Sequence, residues 1–413
     1  MTNRENHLPA DGMWRWRGQS VFSNAVTVGD QVFISGQQTL DKDGVVLNPG
    51  DIAAQTRNVF ENMKSCLALL NMELEDLVRL NTYYVFDGED QEATAFWEDM
   101  TRVRLEYFPD PGPAATAVRA KGMPYEGQLI QIEGVALRGE ARRNRQRIMP
   151  EGSWDWSIAV PLSQGWKIGN RIFVGGQISA DKAGSPVHVG NLDAQTRNIY
   201  DYIGRILSDA GASFEDLLRI KICFKYDSRD SKTGQAFVER IMEITEDYVK
   251  GVAPVITAFA VDLLYPGLDL EIDAMAIVDP DTKMLRPSEL GGRYQPSVFS
   301  DGVMADGEIY VSGQTALGSD NTVLFPDDFS EQAKTVFHRL AKVLAEADAA
   351  LDDVIKLNLF FVADDGEVES RFHQACQIWA KICPNSQPAF TPVRVHELPQ
   401  PGLLLQADCV AIK

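Results

Sequence analysis

VFISGQQTLDKDG over 32–44, IFVGGQISADKAG over 172–184 and IYVSGQTALGSDN over 309–321 decide the reading of this chain. Each is an apolar run rich in β-branched and aromatic residues, closed by a small residue, Gly-Gln and a polar stretch with Gly or Asp, the composition of a strand and its exit. Such self-similarity outranks any local signal, because it divides the chain into copies of one unit.

The order downstream is kept three times. DIAAQTRNVFENMKSCLALL from Asp51, NLDAQTRNIYDYIGRILSDAG from Asn191 and DFSEQAKTVFHRLAKVLAEAD from Asp328 each open on an N-capping residue, and Asp328 has Glu331 at capping-box spacing. Ile52, Val59, Met63, Cys66, Leu67 and Leu70 recur near helical period, which predicts an amphipathic helix. LVRLNTYYVFD from Leu77, LLRIKICFKYD from Leu217 and VIKLNLFFVAD from Val354 read as strands. A second helix is expected near 95–108, 235–249 and 369–381. A proline and two strands then close each unit: ATAVRA with LIQIEGVAL, ITAFAV with LEIDAMAIV, and FTPVRV with LLQADCVAI.

The predicted fold is α+β: three tandem domains at 1–140, 150–280 and 292–413, each a mixed sheet with two helices on one face. RGEARRNRQRIMPEG from Arg138 and VDPDTKMLRPSELGG from Val278 read as solvated connectors, the first basic enough that an anion- or partner-binding strip stays open beside that reading.

The 413 residues exceed what one core organises, and 45% hydrophobic with 24% charged residues is a globular composition. With 39 basic and 59 acidic residues the net charge is -20, which disfavours nucleic acid as a partner. The polar N-terminus lacks a signal-peptide core and no run of about 20 apolar residues occurs, so no membrane partner and a cytoplasmic location are expected. Five cysteines without CxxC spacing and five histidines without ligand spacing predict neither disulfides nor a metal. No phosphate-binding glycine motif and no nucleophile elbow is present, so no cofactor is expected and the expected partner is a small molecule.

Taken together, the SGQ strand, the AQTRN-type helix start and the closing pattern resemble the RidA (YjgF) family of enamine and imine deaminases, with the chorismate mutase-like fold. The resemblance covers nearly the whole chain, three times. Members are typically homotrimers with a central barrel of sheets, helices outside and an active site at each subunit interface, which implies a single-chain pseudo-trimer here, open to further homo-oligomerisation. An open sheet with one helix-covered face must bury its other face against something, and neighbouring copies supply that.

The resemblance also assigns residues. The family arginine that pairs with a substrate carboxylate falls at Ala115, Ile256 and Phe390, so the usual 2-imino acid recognition is lost in all three copies. The acidic residue that activates water falls at Gln131, Glu271 and Gln406, and a carboxamide cannot act as a general base. Glu271 is therefore the candidate catalytic acid, with Asp273 two residues on and on the same strand face as a proton-shuttling partner; a structural bonding role for Glu133, Asp273 and Asp408 is the competing reading. The family's pocket tyrosine falls at Phe22, Leu162 and Phe299.

Gly176, like Gly36 and Gly313, allows close approach, and backbone near Gly176 and Ala258 is expected to polarise the substrate. Trp166, with the Trp14/Trp16 and Trp154/Trp156 pairs, reads either as an aromatic box or as packing between repeats. Arg119 and Arg394, four residues beyond the lost arginine and about 13 Å along the strand, read as replacement clamps or as structural ion pairs.

Two functions remain open from sequence. One is a hydrolase acting on a non-peptide carbon-nitrogen bond of an imine, enamine or related molecule without the usual carboxylate, at one active site near Glu271. The other is a non-catalytic binding or scaffold protein with degenerate sites. A chorismatase-type lyase or hydrolase lacks the basic residues its substrates demand.

Overall fold

The computed structural model describes residues 4–17, 21–225, 231–290 and 298–413. The last two residues of the second connector and the expected start of the third domain at 292 lie outside the described residues. The first repeat contains strands β1 (Arg4–His7), β2 (Ala25–Val28), β3 (Gln31–Gln37), β4 (Leu77–Tyr84), β5 (Ala114–Arg119) and β6 (Ile130–Leu137), with helices α1 (Ile52–Ala68) and α2 (Asp90–Leu105). A short helix α3 (Gly139–Arg143) leads to the second repeat: β7 (Arg145–Ile148), β8 (Gly165–Ile168), β9 (Arg171–Ile178), α4 (Leu192–Asp209), β10 (Leu217–Lys225), α5 (Ser231–Val249), β11 (Val255–Val261) and β12 (Leu270–Ile277). The third holds β13 (Thr282–Leu285), β14 (Gly302–Ala305), β15 (Glu308–Thr315), α6 (Phe329–Ala345), β16 (Val354–Phe361), α7 (Val368–Ile382), β17 (Ala389–Arg394) and β18 (Leu405–Ile412).

Each repeat is one six-stranded mixed sheet in the same order, β1-β2-β3-β6-β4-β5 in the first. The first closing strand runs parallel to the strand before it and the second runs antiparallel, between β3 and β4 or their equivalents. The long helices are capped as their sequences dictate: the side chains of Asp51, Asn191 and Asp328 accept from the backbone of Ala54, Ala194 and Glu331. Helix α2 ends at Leu105, short of the expected 108: Glu106 caps it in helical geometry, and Phe108, directly before Pro109, is disfavoured from continuing it.

The glutamine of the repeated helix start does more than its sequence suggested. Gln55 Nε2 donates to Gly127 O while Gln55 Oε1 accepts from Leu129 N, and Gln195 and Gln332 repeat this with the loops at Gly267 and Gly402. A buried amide thus fastens each helix to the turn between its closing strands.

The connectors are not simple solvated linkers. Arg145–Ile148 and Thr282–Leu285 each add an antiparallel edge strand to the sheet that follows, as Arg4–His7 does at the start. Such strands are short and charged, which suits a sheet edge but hides them in a composition reading.

The sheet faces without helices pack on one another. Phe33, Val78, Phe173, Leu218, Tyr310 and Ile355, two from each repeat, belong to one buried cluster, while the helix-covered faces hold the others. A continuous barrel is not formed. The three sheets stay separate and touch through isolated bridges, one parallel and one antiparallel at each seam: Ala114 with Ser163 and Arg119 with Asp262, Val255 with Ser300 and Ala260 with Glu397, and Ser23 with Ala389 and Gly122 with Arg394. Every repeat therefore shares a seam with each of the other two. Among the described residues no helix is long and apolar enough to cross a membrane.

Candidate functional site

The position read as catalytic acid or its amide lies beside a seam in each repeat. On β12, Glu271 sits opposite Ile178 of β9 and Cys223 of β10. Its side chain crosses the face of Gly176 so closely that a Cβ there would fall 1.8 Å from Glu271 Oε1 and 3.0 Å from Thr116 Oγ1 of the first repeat. The carboxyl takes a hydrogen bond from the backbone N–H of Ala117, and its Oε1 has no hydrogen-bond partner among the described residues. Burial, followed by the charge of Asp273, pushes the Glu271 carboxyl up to about 8, against the pull of the Ala117 N–H, Lys221 and Arg79. At neutral pH this acid holds its proton.

Its counterparts differ for a local reason. Gln131 is locked: Gln128 Nε2 donates to Gln38 Oε1 at 2.8 Å, Gln38 Nε2 donates to Gln131 Oε1, and Gln131 Nε2 donates to Pro392 O of the third repeat at 2.9 Å. Ile178 occupies the place of Gln38 in the second repeat, so no amide reaches Glu271. Gln406 is packed against Gly313, where a Cβ would fall 2.7 Å from its Cδ.

Beside Glu271, a cavity of about 140 Å³ opens at the seam between repeats 1 and 2. Its walls include Ala115, Leu162, Trp154, Trp156 and Arg147, with the backbone of Gly175 and Gly176 as floor. At the seam between repeats 1 and 3 the matching space holds the ring of Phe22 stacked on Phe390 at 3.8 Å, with Trp16 6.1 Å from Phe390. Bulk at 22 and 390, where the second site has leucine and alanine, fills that seam.

Several sequence assignments are corrected. Ile256, Ala258 and Phe299 share the core of the second repeat and its seam with the third, so they do not accompany Glu271; the strand facing Glu271 is β5 of the first repeat. Parallel contact between repeats hands each acid the closing strand of its neighbour instead of its own.

Trp166 is buried in the inter-sheet cluster, donating to Gly112 O at 3.2 Å beneath the Arg145 guanidinium, away from the cavity. Arg119 pairs with Asp90 at 2.6 Å and Asp262 at 3.2 Å, and Arg394 with Asp365 at 2.6 Å and the carbonyl of Ala363. Both are structural ion pairs.

The second tryptophan pair packs between repeats and reaches the cavity wall. Trp154 donates to Gln177 Oε1 and lines the cavity, while Trp156 stacks on Trp97 of the first repeat at 5.0 Å. Arg147, part of the basic connector, is the residue sequence reasoning passed over. Its guanidinium donates to Leu162 O at 2.7 Å and to Ser163 Oγ at 3.0 Å, and pairs with the largely exposed Asp110 at 2.9 Å. The signal available was its place on an edge strand two residues from the apolar Met149.

Asp273 is not free to shuttle a proton. It pairs with Arg79 at 2.6 Å and Lys221 at 2.9 Å and accepts from Thr116 Oγ1 at 3.0 Å; against its burial, those cations hold its carboxyl below the usual range. The same arrangement recurs around the inner faces of the sheets. Thr257 donates to Asp408, which pairs with Arg219, and Thr391 donates to Glu133, which pairs with Lys356. Each acid of this ring is thus held by a threonine and a cation from adjoining repeats. Among the described residues no group of three His, Cys, Asp or Glu side chains is placed to hold a metal ion.

The comparisons with known proteins agree with this architecture. The endoribonuclease L-PSP family matches three times, over residues 17–138, 156–278 and 294–413. A RutC family protein of Pyrococcus horikoshii is 34% identical over 117 residues, 28% of this chain and 86% of that protein. A protein of Acinetobacter baylyi named 3-aminoacrylate deaminase RutC is 36% identical over 105 residues, 25% of this chain and 77% of that protein. A chorismatase crystal structure superposes with a TM-score of 0.54 at 12% identity, covering 82% of this chain and 93% of the other, a likeness of fold. Three matches in series, on three sheets of one topology, make this chain a member of the endoribonuclease L-PSP (RidA/YjgF) family with the family unit present in three tandem copies.

Proposed function

We propose that the chain is a single-chain counterpart of a trimeric deaminase, a hydrolase that cleaves the C–N bond of a small imine or enamine at one site, between repeats 1 and 2. The observation that carries this reading is Glu271: the one carboxyl among three equivalent positions, buried, with an unpartnered Oε1 against Gly176, a residue that lines the cavity. In the reaction, water adds to the imine carbon and the C–N bond breaks to give a carbonyl and ammonia. Glu271, in the ionised fraction that its raised range leaves near neutral pH, takes a proton from the attacking water and, then protonated, returns it to the leaving nitrogen. The family name of RutC as a deaminase supports the reaction class. Ala115 leaves the family's carboxylate anchor empty, so we read the substrate as lacking the usual 2-imino acid carboxylate.

The test is ammonia release from a panel of imines and enamines with and without a carboxylate, comparing the wild type with Glu271→Gln. Activity on non-carboxylate members that vanishes in the variant is expected. Silence across the panel would transfer the protein to a binding role; activity that survives Glu271→Gln would remove Glu271 from the chemistry.

A further inference from the structure

The three repeats differ at one more inner position. β4, β10 and β16 pair with β6, β12 and β18 in one register, which sets Asn81 opposite Glu133, Lys221 opposite Asp273 and Asn358 opposite Asp408. Asn81 Nδ2 donates to Glu133 at 2.6 Å and Asn358 Nδ2 to Asp408 at 2.8 Å, while Lys221 Nζ lies 2.9 Å from Asp273. Each inner acid therefore has one cation from a neighbouring repeat and one partner from its own. That own partner is a neutral amide in repeats 1 and 3 and an ammonium in repeat 2.

The outer position varies in step: Gln131 with Asn81, Glu271 with Lys221, Gln406 with Asn358. Repeat 2 holds two carboxyls on one strand face, where repulsion in a dry interior favours neutralising one of them. It also holds the additional cation. We propose that Lys221 is a positioning residue matched to Glu271, supplying through Asp273 the positive charge that lets the second carboxyl of this repeat ionise during the reaction. Lys221 itself is buried, 3% exposed, so its charge is not spread into solvent. This rests on the reading of Glu271 as the working acid.

The groups facing Glu271 are Asp273 on its own strand, Lys221 and Cys223 on β10, Tyr84 and Arg79 on β4, and Thr116 on β5. Arg79 serves Asp273 from the first repeat just as Arg219 serves Asp408 and Lys356 serves Glu133, so it belongs to the common pattern. Lys221 is the departure from it.

The experiment follows the Glu271 carboxyl directly by infrared difference spectroscopy against pH, its band assigned with Glu271→Gln. Lys221→Asn, the arrangement of the other two repeats, is expected to raise the titration midpoint by about one unit or more, and Lys221→Arg to restore it. An unchanged midpoint in folded Lys221→Asn would overturn the inference. If Lys221→Asn alone fails to fold, the double change Lys221→Asn with Glu271→Gln decides instead. Recovery of a folded protein supports the match, and continued unfolding refutes it. Loss of the link between Glu271→Gln and ammonia release, with the titration shift still seen, would refute the catalytic reading and leave only the electrostatic match of Lys221 to Glu271.

Discussion

Substituting Gly176 by alanine tests the site with a single methyl group. Gly176 is not among the residues with positive φ, so its backbone accepts a side chain and the effect is steric. The new Cβ would stand 1.8 Å from Glu271 Oε1 and 2.7 Å from its Cδ, so the carboxyl must withdraw by more than about 1 Å, a displacement that costs on the order of 100-fold in rate when a reacting group moves. Overpacking adds about 1–3 kcal/mol of destabilisation. The chain provides its own controls. Gly36→Ala would meet Gln131 Cδ at 2.5 Å and Gly313→Ala would meet Gln406 Cδ at 2.7 Å, so both carry a similar steric load without touching a carboxyl. Measuring kcat/KM for ammonia release and the melting temperature of all three variants separates the two effects. All three should lose stability, and Gly176→Ala alone should lose activity. Equal activity losses at the three glycines, or full activity in a destabilised Gly176→Ala, would refute the one-site reasoning.

Other consequences can be measured alongside. The folded protein keeps the Glu271 proton from near 4.5, the ordinary value, up to about 8, so its contribution to stability is full below that window and falls as pH rises through it; chemical unfolding between pH 5 and 9 should show a decline that Glu271→Gln lacks. Asp273→Asn leaves Arg79 and Lys221 without their carboxylate and should cost about 3–5 kcal/mol in denaturant unfolding. Gln131→Ala and Gln406→Ala should keep most of the wild-type rate of ammonia release. Arg147→Leu should leave turnover of a neutral substrate nearly unchanged; a selective loss for anionic members of the panel would show that this guanidinium, tied to an exposed Asp110, takes up the role vacated at Ala115.

The triple unit was legible because each SGQ strand, capped helix and proline-led closing pair leaves an ordered signature in the residues themselves. Glu271 was legible for the same reason, as the acid among two amides. The partner of Glu271 was not. Ile256 and Ala258 lie on the strand that precedes it in sequence, yet Thr116 and Ala117 stand beside it, because seams made by isolated bridges such as Ala114 with Ser163 and Arg119 with Asp262 leave no local pattern. Strand Arg145–Ile148 was hidden by its charge, and with it Arg147. Lys221 could have been found by aligning NTYY, KICF and NLFF, where a lone cation stands over two asparagines.

The stacked rings of Phe22 and Phe390 have a consequence for how the protein is made. Seams between repeats 1 and 2 and between 2 and 3 join units that leave the ribosome in succession, and their connectors keep them close. The contact of Ser23 with Pro388 closes a loop spanning most of the polypeptide, which costs more loop-closure entropy than the other two seams and has to wait for the third repeat to be made. Aromatic bulk concentrated there acts as a latch on the final docking event. The cleft beside Glu271 lies at the earliest seam, so it can be assembled on a nascent chain before the third repeat has been translated.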